Sequence, residues 1–308
     1  MKKGKIMLSL FIASLVMSAC NAKQQEDVFT YGEVKNSKVA HIHGLGYING
    51  GHAIAIATHD GLYKYGKDGW QEANGQKHDY MGFQATREGF FASGHPEEGA
   101  HLKNPFGLIK STNQGASFEQ LAFYGEIDFH YLAAGYDSNM IYVYNETATD
   151  NMEIGLHYSA DEGKTWEKVA MTGYHSNTIA NLAAHPLKKQ VLGIGSQDGL
   201  FISDNYGENF TLMNDAKMVT SVTLNDIGGY YSNIENNHVY LTSFLFGNIS
   251  ERQIPLPTGQ KLQPIIYLAV NPQQDKELVI MTNNIDIYVT RDEGLSWDKL
   301  ASDGELLD

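Results

Sequence analysis

The sequence predicts an all-β chain folded as a six-bladed β-propeller, and three observations predict it. Four segments share one turn pattern: STNQGASF (111–118), SADEGKTW (159–166), SDNYGENF (203–210) and TRDEGLSW (290–297). Their starts are 48, 44 and 87 residues apart, and 87 is close to twice 44. A repeat in the forties flanked by β-type runs marks propeller blades. Between the turns lie short alternating or β-branched runs broken by Gly, Asn and Asp, with no long helical period.

The chain opens with MKKGKIMLSLFIASLVMSAC. Lys2, Lys3 and Lys5 form a positive region, and Ile6 to Met17 is apolar but too short for a comfortable membrane span. Small Ser18 and Ala19 then precede Cys20, the pattern of a secretory signal over residues 1–19. MSAC resembles a bacterial lipobox. The resemblance implies a mature chain that starts at a lipidated Cys20 and has a membrane as its first partner, on the extracytoplasmic side. Two acyl chains suffice for stable anchoring. Cys20 is the only cysteine, so no disulfide forms within the chain and the core alone must stabilise it. Residues 20–38 are expected to be the lipidated cysteine and a flexible tether, 39–303 the propeller, and 304–308 a C-terminal tail.

The formal charge is −14, and Lys2, Lys3 and Lys5 are lost with the signal, leaving a still more acidic protein. Such a field excludes nucleic acid or anionic lipid as general partners. The chain is expected to be a monomer.

Each blade should open with an innermost strand. These are HIHGLGYI (41–48), DYMGFQAT (79–86), DFHYLAAG (128–135), NTIANLAAH (177–185), MVTSVTLN (218–225) and QPIIYLAVN (263–271). Blade 1 has a degenerate turn near YGKDGW (65–70), and blade 5 has lost its copy. In the four full turns, Asn113, Asp161, Asn205 and Asp292 can bond nearby backbone N–H groups. Gly115, Gly163, Gly207 and Gly294 supply a positive φ. The aromatic that ends each turn should pack between blades. These residues read as structural.

The turn pattern resembles the Asp-box (BNR repeat) of sialidase-like and sortilin-like propellers. That resemblance implies a turn joining the third and fourth strands of each blade. It also implies that inner strands start on the opposite face, together with the loops between second and third strands. Lipobox, HxHGLG, SGHP, DFHxL and the turns together resemble a group of bacterial lipoprotein propellers labelled glycosyl hydrolase or exo-sialidase by similarity.

Aligning the inner strands on Leu45, Phe83, Leu132, Leu182, Val222 and Leu268 places His43, Met81 and His130 at one equivalent position. His41, Asp79 and Asp128 share another, two residues earlier. Second-strand ends add His59 and His95, with His78, His101 and His175 near the same face. Imidazole suits Zn, Cu, Fe and Ni, and a thioether favours Cu(I). The expected metal ligands are His43, His130 and His95, then His41, His59 and Met81, with Asp128 as ligand or orienter and Asp79 able to serve likewise. The metal is copper ahead of zinc, and no organic cofactor is indicated. The alternative for each histidine alone is a hydrated polar channel lining.

A sialidase would need three inward arginines to hold a carboxylate. The chain has three arginines in all, Arg87, Arg252 and Arg291, and none starts an inner strand. Another glycosidase would need two facing carboxylates, for which Asp79 and Asp128 are the candidates. The expected function is therefore an extracytoplasmic, lipid-anchored propeller that binds a transition metal. The alternatives are a glycosyl hydrolase acting on extracellular glycans and an assembly scaffold for a cell-surface protein.

Overall fold

A computed structural model describes residues 28–215, 218–258 and 261–307. The signal segment and Cys20 lie outside the described residues. Six antiparallel sheets follow one another along the chain. Their innermost strands are Ile42–Ile48, Asp79–Ala85, Tyr131–Ala134, Asn181–Ala184, Met218–Leu224 and Ile265–Asn271. All six fall where the hydrophobic pattern places them, so the all-β, six-bladed expectation holds.

Six apolar clusters account for the ring. Each joins the facing sides of two neighbouring blades, and one packs Leu45, Tyr47 and Ile54 of blade 1 on Val279, Met281 and Ile287 of blade 6. Burying both faces of each blade is what lets the inner and second strands run almost continuously apolar.

The four repeated turns connect third and fourth strands and share one hydrogen-bond scheme. In the second, Gly163 N–H donates to Ser159 Oγ at 2.7 Å and Thr165 N–H donates to Asp161 Oδ1 at 2.9 Å. The same two bonds recur from Gly115 and Ser117, from Gly207 and Asn209, and from Gly294 and Ser296. Gly207 has φ +92°, and a Cβ there would lie 2.8 Å from Leu156 of the preceding blade. Only glycine meets both demands. Phe118, Trp166, Phe210 and Trp297 each pack into the cluster shared with the preceding blade.

The expected boundaries need correction at both ends. Residues 20–38 are not all tether: Tyr31–Glu33 pairs with Gly69–Ala73 as the outermost strand of blade 1. Residues 304–308 are not a free tail: Glu305–Leu306 adds a fifth strand to blade 6. These two ends then meet. Leu306 N–H donates to Ser37 carbonyl oxygen at 2.8 Å and Val39 N–H to Gly304 carbonyl oxygen at 2.9 Å. Tail and tether were polar and short, and their strand character depends on edges supplied by blades 1 and 6.

Candidate functional site

The inner strands surround a channel of about 1310 Å3. Four of them carry a β-bulge near their start. The pairing skips His43, Met81, Thr220 and Ile266, the positions that align across the blades. A bulge bends the strand and re-aims its extra side chain. Here the extra residue lines the channel at one mouth, as do His130 and Ala180 of blades 3 and 4. The glycine after the bulge has a separate cause. A Cβ on Gly44 would lie 2.5 Å from that of Phe83, and one on Gly82 would lie 2.2 Å from the Phe129 carbonyl oxygen. Neighbouring inner strands pass too closely there for a side chain. HIHGLG thus joins a bulged histidine to a close-approach glycine.

At this mouth the histidines and carboxylates divide into two groups. In the first, His59 Nδ1 is 2.6 Å from Asp79 Oδ2, and His43 Nε2 is 3.8 Å from Asp79 Oδ1. The donors of His43, His59 and Asp79 all lie within 4.8 Å of one another. The rings of His41 and His43 meet that of His59 edge-on, at 5.1 and 5.0 Å. His43 Nε2 and Asp79 Oδ1 are buried and have no hydrogen-bond partner among the described residues. Burial holds His43 below the usual imidazole range. Asp79 opposes this, while His59, His41 and His130 add to it.

In the second group, His95 Nε2 and His130 Nε2 lie 3.2 and 3.0 Å from the same oxygen, Asp128 Oδ2. His95 Nδ1 is 2.6 Å from Asn104 Oδ1, and His130 Nδ1 is 3.3 Å from Glu146 Oε2. The bond to Asp128 raises His130 above the usual range against partial burial, and Glu146 adds to the rise.

The residues expected as one ligand set are therefore placed in two. His43 and His130, aligned in register, belong to different groups. His41 joins neither donor set, and it takes a left-handed backbone, φ +51°. Met81 lines the channel on the strand between them. His78 does not face the mouth: it is buried, bonded to Gln76 and the Glu97 N–H, and packed on Phe106 and Phe118. The reason is alternation: His78 precedes Asp79 and points to the opposite side. Asn104 gave no sequence signal, because it lies nine residues beyond His95 in an irregular loop.

Each of the three arginines is held in an ion pair away from this mouth, Arg87 with Asp137, Arg252 with Glu293 and Arg291 with Asp298. No arginine triad faces the channel mouth.

No family model matches the chain, and no curated protein matches it in sequence. Solved structures match in fold. A GH74 xyloglucanase from Xanthomonas campestris shares 16% identity over 89% of this chain and 47% of its own, with a TM-score of 0.54. A GH74 enzyme from Niastella koreensis shares 15% over 89% and 47%, with a TM-score of 0.57. YCF48 bound to a D1 peptide shares 13% over 89% and 85%, with a TM-score of 0.51. The chain spans about half the length of the GH74 structures it matches. At these identities the likeness is one of fold, and function has to be argued from the site: the chain is a six-bladed β-propeller whose histidines and carboxylates gather at one mouth.

Proposed function

We propose that the protein binds a divalent transition-metal ion at the channel mouth through His43, His59 and Asp79. The observation that carries this reading is the buried, unpartnered pair of His43 Nε2 and Asp79 Oδ1 beside His59. Leaving such atoms unsatisfied costs about 1–3 kcal/mol each, and a bound cation satisfies both. Two imidazoles with one carboxylate suit copper, zinc or iron, and the stability order of the divalent ions places copper ahead of zinc. Metal–nitrogen bonds near 2.0–2.1 Å require the donors to draw slightly closer. The proton between His59 and Asp79 is released as the ion enters. Burial keeps His43 neutral, the form that can donate a lone pair. The turns are of the Asp-box kind under this proposal, and Cys20 is the lipid anchor holding the propeller outside the cytoplasm.

Equilibrium dialysis of the untagged protein against Cu(II) and Zn(II), followed by elemental analysis, tests the metal. Retained metal that is lost in His43→Ala supports the site; retention unchanged by His43→Ala together with His59→Ala overturns it. Retention of Cys20→Ser in the membrane fraction would overturn the anchor.

A second reading is glycoside hydrolysis. Asp79 and Asp128 stand at equivalent starts of neighbouring blades, and GH74 structures share the fold. Both carboxylates are engaged by histidines, which favours binding over proton transfer to a sugar. Turnover of xyloglucan or another glycan, lost in Asp128→Asn, would establish this reading.

A further inference from the structure

The channel has two unlike walls. On blades 1 to 3 its lining includes His43, His130 and Gln84, with Arg87 and Tyr136 at the far mouth. On blades 4 to 6 apolar side chains run from one mouth to the other. Met218 stands at the histidine mouth, and Ala180 and Ile266 lie at the level of His43. Val270 lies further in, and Leu187 and Ile227 line the far mouth.

This strip is not spare core. Met218, Leu187 and Ile227 are 49%, 54% and 63% exposed. Among the described residues nine large apolar side chains are exposed, and these three open onto one channel. Ala180 is exposed too, while Ile266 and Val270 are half-buried. Scattered exposed apolar residues need no explanation, but a continuous strip along a cavity with a few convergent polar groups marks a ligand site.

Length and polarity select the ligand. The seven-residue inner strand Met218–Leu224 rises about 23 Å, and one leaflet of a bilayer's hydrocarbon core is about 15 Å deep. An extended acyl chain therefore fits along this wall. The far mouth offers no free cation, because Arg87 is paired with Asp137. At the near mouth, an ion held by His43, His59 and Asp79 has three protein donors and keeps a further position for an outside ligand. His43 itself lines the channel.

We propose that the channel binds a long-chain carboxylate, its tail along the apolar wall of blades 4 to 6 and its head on the ion at His43, His59 and Asp79. The head rests on the metal reading above; the tail rests on the channel wall alone, so the two can fail separately.

The experiment is isothermal titration of the full protein, loaded with Zn(II) and dialysed free of excess, with saturated fatty acids from octanoate to palmitate below their micelle-forming concentrations. About one equivalent should bind, with affinity rising about fourfold for each added methylene. A series flat in chain length overturns the tail site, whether or not Zn(II) is retained. Ala180→Trp fills the channel from an exposed position and should weaken palmitate about tenfold or more. Met218→Gln, also exposed and of similar volume, should weaken it less. Unchanged affinity in both variants overturns the apolar wall. Methyl palmitate carries the same tail without the carboxylate. It should bind more weakly than palmitate, and His43→Ala/His59→Ala should bring palmitate down to its level. Equal affinity of acid and ester in wild type overturns the head. If wild type retains no Zn(II) while the chain-length and Ala180→Trp effects persist, the metal and the head are overturned and the tail site stands.

Discussion

His59 and Asp79 meet at 2.6 Å across the boundary between blades 1 and 2. His59 lies outside the strand that carries His43, and the pair is the link that brings a loop histidine to the channel. Asp79→Asn removes the charge and one acceptor while keeping shape. It should lower Zn(II) affinity by about 100-fold or more, since losing even an outer partner of a ligand costs about 10- to 100-fold, with circular dichroism unchanged. Isothermal titration checks this.

Metal bound only by the folded state should raise thermal stability. At free Zn(II) one hundred times Kd the linkage is about 2.7 kcal/mol, which is about 5–10 °C for a domain of this size. Differential scanning calorimetry should show that shift in wild type. His43→Ala together with His130→Ala should abolish it; a persistent shift would place the metal elsewhere.

His43 and His130 should titrate on opposite sides of the ordinary value of about 6.5. Burial lowers His43, and Asp128 with Glu146 raises His130. For His130 the stabilisation is complete below the unfolded value and is lost as pH rises through its higher folded value. For His43 the sign reverses. Its neutral form is compatible with folding above pH of about 6.5, and stability falls as acid forces a proton on it. Proton NMR of the imidazole resonances, without metal, should separate the two midpoints, and Asp128→Asn should return His130 toward the ordinary range.

Gly82 follows Met81 on the inner strand of blade 2, and a Cβ there would lie 2.2 Å from the Phe129 carbonyl oxygen. The obstacle is backbone, so it cannot rotate away. Gly82→Ala should destabilise by about 2 kcal/mol or more and displace His130, which directly follows Phe129. Urea denaturation measures the first effect and the imidazole resonance of His130 the second.

Leu306 is 8% exposed and packs in the cluster shared by blades 6 and 1. Leu306→Asp places a charge in that closure. A loss of about 3 kcal/mol corresponds to about 6–12 °C in Tm. A Tm within 2 °C of wild type would mean the ends do not hold the ring shut.

Much of the site was legible because its causes are local. The turn repeat needs Asp or Asn and Gly at fixed offsets, so it can be read as text. Alternation along HIHGLG and DFHYL put His43 and His130 at the channel before any contact was known. The grouping was not legible. Equivalence in register pointed to His43 with His130, whereas the structure joins each to a different aspartate. His78 looked like a neighbour of the site, but a shift of one residue along a strand reverses the direction of a side chain.

The sequence by itself determined the blade number, the inner strands, the turn chemistry and the face on which the histidines gather, since period-2 burial and turn geometry act within about ten residues. Only the tertiary structure decided that His59 meets Asp79, that His95 and His130 share Asp128, and that residues 31–39 and 304–306 seal the ring. Those contacts join residues of different blades. Their distances are fixed by how six twisted sheets pack around one axis, a property of the whole ring that no single stretch of chain carries.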